Sequence, residues 1–468
     1  MIILSLDYII AETMYRFKQL TLVGGDLVCL YGGLILALFI RHRATINDQQ
    51  AADLISPMSW LFLVAIVIIF IAGLYDLTRL KRSLAFYQKI FITAIFWAIV
   101  SAIFFYIFNH KSGATPKTIL ALTTVISFGL IATWRTIYIA TLSTALWRSK
   151  IIFAGLTAES LEMIEFLQKR PELGYQVIGV ISPTELPTEK AGLTRYPDAS
   201  SFPANLADVI VVSPQFENDS TLTRKLYENL FTHLQVENLG EFYEKILKRV
   251  PPFTLSETWF LTNLQEQNKR VYDRSRILLD YLGALGMSII FGITYPLVAI
   301  LIKISSNGPI FFRQIRVGKN GKNFTLIKYR TMQSLRADGS AEMSGPQFAS
   351  AQDSRITVIG KFLRLTRIDE LPQFINILKN DMALIGPRPE RPEFAKQLTK
   401  KMPYYAVRHL IKPGLTGWAQ LQHNYYGTLD ENLRKLEYDL YYIKNRGALL
   451  DLAIVLRTVN VILGMKGR

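Results

Sequence analysis

The sequence predicts a membrane protein of class α + α/β: a four-helix transmembrane bundle, a soluble α/β domain with a parallel sheet, and a membrane-embedded α+β domain. Three observations lead there. Five long apolar segments punctuate a chain of 468 residues that is 50% hydrophobic with a mean hydropathy of +0.22, more apolar than a soluble protein of that length needs to be. Between the fourth and fifth segments, strand-like and helix-like runs alternate, the pattern of a parallel sheet with crossover helices. The net charge of +16 is also uneven, since residues 303–468 hold 27 basic and 13 acidic side chains against 26 and 24 in residues 1–302.

Residues 1–19 are short and mixed, with no small-residue cleavage site of a secretory signal. The first four apolar segments, near 20–40, 58–75, 90–108 and 118–134, each approach the roughly 20 residues that span a bilayer. Arg16, Lys18, Arg79, Lys81, Arg82, Lys89, Arg148 and Lys150 flank one side and Arg41, Arg43, Lys111 and Lys117 the other, which places both ends of the bundle in the cytoplasm. Asp26 lies inside the first segment, either as a functional buried acid or near enough to the cytoplasmic end to reach water or Lys18.

Residues 149–262 form the soluble domain. Its first strand runs into Gly155-Leu156-Thr157-Ala158-Glu159-Ser160, where a dinucleotide fold wants G-x-G-x-x-G. Only the first glycine is present, so a Rossmann-like domain that binds no dinucleotide is expected. A third domain, 263–468, opens with a polar, basic linker to Arg276 and continues into the fifth apolar segment near 277–304. Pro296 there follows Gly286 and Gly292, and a mid-helix proline removes a hydrogen bond and bends the helix. That favours a re-entrant helix broken at Pro296 over a fifth span. A hairpin follows, with strands at 310–317 and 323–329 around Asn320-Gly321. Lys328 and Arg330, two residues apart, point to one face. Residues 393–412 suit a head-group helix or a solvated one, 429–443 a further helix, and 449–463 an apolar helix short for a span.

The candidate active site lies between Lys361 and Pro389. Asp369 and Glu370 precede a short apolar-periodic helix, and a helix start favours ionised carboxylates and phosphate alike. An N-cap role alone explains an isolated Asp, but Arg364 and Arg367 precede this pair and Arg388 follows in Gly386-Pro387-Arg388-Pro389. Two prolines hold Arg388 on a stiff, extended segment suited to bidentate binding of phosphate. Adjacent carboxylates do not face one another as a glycosidase requires. A nucleophilic Asp that forms an acyl phosphate, beside a Glu that handles a proton or a metal, fits better.

The runs Asp369-Glu370-Leu371-Pro372-Gln373, Gly386-Pro387-Arg388-Pro389 and Lys412-Pro413-Gly414-Leu415-Thr416-Gly417-Trp418-Ala419-Gln420, in that order, resemble the bacterial polyprenyl-phosphate hexose-1-phosphate transferases, or monotopic phosphoglycosyl transferases. Lys328-Tyr329-Arg330 matches that family's K-[FY]-R stretch. The resemblance implies a reaction in which Asp369 attacks the β-phosphate of a UDP-sugar, releases UMP and passes the phosphosugar to undecaprenyl phosphate. It further implies Mg²⁺, with Mn²⁺ as the alternative, held by Asp369 and Glu370, and phosphate or membrane contact by Lys328, Arg330, Arg364, Arg388 and Pro389. A re-entrant helix at the bacterial inner membrane, a site facing the cytoplasm and a homodimer are implied as well. The segment 388–394, RPERPEF, resembles versions in exopolysaccharide enzymes and favours UDP-glucose over UDP-galactose.

Cys29 is the only cysteine and His42, His110, His233, His409 and His423 have no metal-ligand spacing, which excludes disulfide frameworks and zinc sites of common pattern. There is no phosphate loop and no G-x-S-x-G elbow. The basic third domain follows membrane segments and lacks nucleic-acid motifs, so phosphate substrates and anionic membrane lipid explain its charge. The competing readings are a non-catalytic membrane scaffold and a sensor binding a nucleotide in the α/β domain.

Overall fold

The computed structural model describes residues 2–42, 48–76, 82–108, 117–142, 148–184, 193–203, 206–217, 219–229, 234–264, 269–334, 353, 355–402, 404–422 and 428–463. Arg43, Arg79, Lys81, Lys111, His110, His233 and His423 lie outside this set, as do the side chains of Arg16, Lys18 and His42. The chain forms two compact units, Met1–Leu247 and Lys248–Arg468.

The first unit opens with α1 (Ile2–His42), α2 (Asp48–Ile71), α3 (Leu84–Phe108) and α4 (Lys117–Leu142). Each contains a stretch long and apolar enough to cross a membrane: Gln19–Arg41, Leu54–Ile71, Leu84–Ile107 and Lys117–Thr141. The mixed sequence before residue 20 is therefore helical, continuous with the first apolar segment. The four helices bury a core that includes Leu30, Phe62, Trp97 and Ile131, while much of their outer surface is apolar and exposed, as a lipid-facing bundle requires. Glycine brings α1 against α4, because a side chain at Gly25 would collide with Trp134 and one at Gly33 with Ser127.

Asp26 is fully buried, so it does not reach water. Its carboxylate accepts from Arg135 Nε at 3.1 Å, Arg135 Nη2 at 2.5 Å and the Tyr75 hydroxyl at 2.8 Å, and Arg135 also donates to the Leu74 carbonyl at 2.5 Å. It ties α1 to α4 and to the turn after α2.

The rest of this unit is β1 (Ser149–Ala154), α5 (Ala158–Gln168), β2 (Tyr175–Ile181), β3 (Thr194–Tyr196), β4 (Val209–Val212), α6 (Ser220–Glu228), β5 (Gln235–Asn238) and α7 (Leu239–Leu247). The sheet is parallel with strand order β3-β2-β1-β4-β5, the doubly wound arrangement expected. Gly155 ends β1 at φ 102°, and a side chain there would strike Ser213 and Phe216. The first turn of α5 is closed by its own residues: Thr157 accepts from Ser160 N while Ser160 Oγ accepts from Thr157 N.

The second unit begins at Lys248 and runs through α8 (Glu257–Asn263), α9 (Arg270–Ser305), β6 (Phe311–Val317), β7 (Asn323–Tyr329), α10 (Val358–Leu365), α11 (Phe374–Leu378), β8 (Ala383–Ile385), α12 (Pro392–Lys401), β9 (Gly414–Thr416), α13 (Trp418–Gln422), α14 (Leu429–Asn445) and α15 (Ala448–Leu463). The stretch read as a linker ending at Arg276 is helical from Arg270, because Arg276 is buried and donates to the Ile385 carbonyl while Asp280, one turn on, accepts from Leu384 N at 2.7 Å. These contacts fasten the start of α9 to β8. Pro296 lies inside α9, which runs unbroken past it and is long and apolar enough to cross a membrane, so the expected break does not occur there, although the proline has no N–H for the carbonyl of Gly292. Around it, Phe291 and Tyr295 stack on Phe311 and Tyr329 of the hairpin at 5.7–6.3 Å between ring centres.

β6 and β7 pair antiparallel from Phe311↔Tyr329 to Val317↔Asn323. Asn320 and Gly321 turn the hairpin at φ 55° and 73°, which is why that dipeptide marks it. Residues 393–401 present Phe394, Ala395 and Leu398 to the protein core and leave Lys396, Lys400 and Lys401 exposed. The apolar side of that helix therefore packs on protein.

Candidate active site

The acidic pair is held by the end of the hairpin. Thr357 caps α10 by accepting from Gly360 N at 2.9 Å, and Gly360 lies so close to the Thr331 backbone that a side chain there has no room. After α10 the chain turns at Arg367, whose φ of 60° is left-handed, into a 3₁₀ turn over Ile368–Gln373 that carries Asp369 and Glu370. Both are buried, at 5% and 7% exposure. Neither caps a helix. The next helix, α11, is locked to β7 by Asn376, which donates to the Thr325 carbonyl at 2.7 Å and accepts from Ile327 N at 3.1 Å.

Arg388 arrives from the opposite side. β8 and β9 pair in parallel, and Gly386, Gly414 and Gly417 bring two chain segments together backbone on backbone, with no space for a Cβ at any of the three. Gly386 N donates to the Thr416 carbonyl and Gly414 N to the Pro387 carbonyl, at 2.8 and 2.9 Å. This close approach is the physical reason the Gly-Pro-Arg-Pro and Lys-Pro-Gly-Leu-Thr-Gly runs occur together. Arg388 Nη2 then donates to Glu370 Oε1 at 2.8 Å, and Arg367 Nη1 stands 3.4 Å from the same oxygen.

The two carboxylates are shifted in opposite directions. Burial works against the Glu370 anion, but Arg388 and Arg367 override it and hold the carboxyl down at about 2. Burial, with Glu370 beside it, pushes Asp369 up to about 7 against the pull of Lys328 and Arg364. Burial lowers Lys328 to about 8, with Asp369 opposing and Arg364, Arg316 and Arg388 assisting. Among the described residues Asp369 Oδ1 is buried without a hydrogen-bond partner. A buried carboxylate oxygen left unpaired, in the field of Lys328, Arg364, Arg367 and Arg388, is a group set to receive an electrophile or a cation.

Of the residues singled out from sequence, Lys328, Arg364 and Arg388 converge on Asp369 and Glu370. Arg364 is steadied by its Nε, which donates to Thr331 Oγ1 at 2.9 Å. Arg330 does not join them. It follows the last residue of β7, is 2% exposed and donates to the carbonyls of Asn307 and Ser306 at the end of α9, which it caps. Pro389 lies in the Arg388 loop and Pro296 in α9. No group of three or more His, Cys, Asp or Glu side chains placed to hold a metal occurs among the described residues.

Sequence reasoning missed the residues behind Arg388. Arg316 and Arg408 donate to the loop's carbonyls, Glu390 is paired with Lys435 and Arg316, and Asp439 faces Arg408 at 2.8 Å. A signal existed, because Lys435 and Asp439 fall in the apolar stripe of α14 with Leu436, Leu440 and Ile443, where unpaired charge is costly.

The sequence profile described as bacterial sugar transferase matches residues 271–465, and one described as a CoA-binding domain matches residues 70–205. A UDP-N-acetylgalactosamine-undecaprenyl-phosphate N-acetylgalactosaminephosphotransferase of Aeromonas hydrophila is 39% identical over 231 residues, 49% of this chain and 53% of that protein. UDP-glucose:undecaprenyl-phosphate glucose-1-phosphate transferases of Escherichia coli K12 and Caulobacter vibrioides are 30% and 40% identical. The matches cover 66% of this chain and 66% of the Escherichia protein, and 40% and 69% for Caulobacter. The chain thus spans about half the length of the first of these relatives and about two thirds of the other two.

Proposed function

Because the chain belongs to the bacterial sugar transferase family, we propose that it transfers a hexose 1-phosphate, with glucose 1-phosphate preferred, from UDP-hexose to undecaprenyl phosphate at the cytoplasmic face of the bacterial inner membrane. UDP-galactose is the next donor. The observation that carries this reading is Asp369, with an unpaired buried oxygen beside Lys328 and Arg364.

Asp369 attacks the sugar-bearing β-phosphorus. An O–P bond forms to the carboxylate, the bridging P–O bond breaks and UMP leaves with the electron pair. A phosphate oxygen of undecaprenyl phosphate then attacks the same phosphorus, and Asp369 departs as the carboxylate. Lys328, Arg364 and Arg388 offset the charge of the phosphates. Glu370, ionised across the neutral range, orients Arg388 and carries no proton.

Two adjacent carboxylates make no closed cage, but Mg²⁺ commonly takes one or two protein carboxylates and completes its shell with water and substrate phosphate. Asp369 Oδ1 is available for that and Glu370 lies next to it, so the residues fit Mg²⁺, with Mn²⁺ as the alternative. When bound, the ion supplies charge neutralisation at the diphosphate.

In this reading α9 enters and leaves one leaflet, bent at Pro296. The basic unit then stays on the side where UDP-sugars are found. The α/β domain supports a homodimer and takes no dinucleotide, consistent with its self-capped α5 and the missing glycines. The test is UMP release by the purified protein with Mg²⁺, undecaprenyl phosphate and UDP-glucose, UDP-galactose or their N-acetylated forms. Release with UDP-glucose, lost on chelation and in Asp369→Asn, is expected. No release with any donor returns the chain to the scaffold reading.

A further inference from the structure

The loop that presents Arg388 is held at three successive carbonyls. Arg408 Nη2 donates to the Arg388 carbonyl at 2.9 Å, Arg316 Nη1 to the Pro389 carbonyl at 3.0 Å and Val317 N to the Glu390 carbonyl at 2.9 Å. Behind them lies a cluster of five charged side chains. The Glu390 carboxylate meets Lys435 and Arg316, and Arg408 meets Asp439 and the Tyr405 hydroxyl. Arg408, Lys435 and Asp439 are each no more than 3% exposed.

A buried ion pair is a weak source of stability, since desolvation offsets most of its attraction. Five charges packed behind one loop therefore call for an account other than holding the unit together. What they share is geometry: each side chain ends on the peptide carrying Arg388 or on a group that does so. Pro387 and Pro389 fix φ on either side of Arg388, but no proline fixes where the loop stands relative to Asp369. Arg408 does, because Nη2 of its fork reaches the Arg388 carbonyl and the Asp439 carboxylate while Nη1 donates to the Tyr405 hydroxyl, a two-armed contact that lysine cannot make.

We infer that Arg408 is a positioning residue for Arg388: it sets the guanidinium of Arg388 against the phosphates of the bound anion without touching the anion itself. The inference rests on the reading of Arg388 as a phosphate ligand given above. A displacement of about 1 Å in a charge-stabilising group costs on the order of a hundredfold in kcat/KM, so Arg408→Lys, which keeps the charge, should lose about that factor.

The test is a double-mutant cycle on the full chain in detergent, with Arg408→Lys, Arg388→Ala and both together. Each is assayed for UMP release and for binding of inorganic pyrophosphate by calorimetry, with thermal unfolding as the control for folding. Positioning predicts that both single variants weaken pyrophosphate binding and that the double variant is no worse than Arg388→Ala alone. A purely structural role predicts effects that multiply, which would overturn the inference, as would Arg408→Lys behaving like the parent. Should Arg408→Lys fail to fold, Tyr405→Phe, which removes one contact to Arg408, replaces it under the same criteria with a smaller effect. If no donor yields UMP yet pyrophosphate binding shows the non-additive pattern, positioning stands and the transferase reading fails. If the parent protein neither turns over nor binds pyrophosphate, both fail, because Arg388 then presents no anion site.

Discussion

Two aspartates in this protein are almost equally hidden from solvent, and they have opposite meanings. Asp26 in the helix bundle is fully buried with both carboxylate oxygens paired, to Arg135 and Tyr75. Asp369 is 5% exposed, surrounded by cations, and keeps one oxygen without a hydrogen-bond partner among the described residues. Burial alone therefore does not separate a structural acid from a reactive one. What differs between these two is the unpaired oxygen and the cations around it, and a fold gains nothing from a buried lone pair with no donor.

The difference is broken most sharply by removing each charge in turn. Asp369→Asn should lower kcat for UMP release by at least about a thousandfold, as loss of a nucleophile does, and leave thermal unfolding unchanged or slightly improved. Asp26→Asn should do the reverse: turnover per folded molecule is retained, while unpairing Arg135 in an apolar bundle costs about 3–5 kcal/mol, seen as a lowered unfolding temperature in detergent. If Asp26→Asn abolishes turnover in protein that stays folded, the comparison fails.

A smaller effect concerns how Asp369 is held. Asn376→Ala leaves Ile327 N and the Thr325 carbonyl without their side-chain partner. It should cost about 1–3 kcal/mol and lower turnover through the loosened seat of α11 on β7, measured as a denaturation midpoint beside a rate.

The smallest effect is a shift in pH dependence. The Asp369 and Lys328 pair titrates together, with the carboxyl at about 7 and the ammonium at about 8. Asp369 must be ionised to attack and Lys328 charged to hold phosphate. Turnover should therefore rise with pH through about 7 and fall above about 8. Lys328→Gln removes the cation that favours the Asp369 anion, so the acid limb should move to higher pH and the alkaline limb near 8 should disappear. A profile unchanged by Lys328→Gln would place the titrating groups elsewhere.

Much of the architecture was legible because it follows from local chemistry. Apolar length marked the four bundle helices and α9, and Asn320-Gly321 marked the hairpin because two consecutive positive φ angles demand such residues. The extent of α9 was not, since Arg276 reads as polar linker until its partner at Ile385, a hundred residues on, is known. The site divides in the same way. Asp369, Glu370 and Arg388 stand out as charges in short motifs, whereas Arg330 has the same spacing signal as Lys328 and ends on carbonyls of α9. Period-2 spacing assigns a face only while the strand lasts, and β7 stops at Tyr329. Arg316, Arg408 and Lys435 act through long-range contacts to backbone or buried carboxylates, for which a linear sequence holds no short-range signal beyond charge in an apolar stripe.

The central claim is that Asp369 takes the phosphosugar itself, and intact-protein mass spectrometry after mixing enzyme, Mg²⁺ and UDP-glucose without undecaprenyl phosphate tests it most directly. The account predicts release of UMP equal to the amount of enzyme and a mass gain of one hexose phosphate on the peptide containing Asp369, discharged when undecaprenyl phosphate is added. UMP release that occurs only when the acceptor is present, with no adduct at any time, would mean direct transfer between the two substrates and would contradict it.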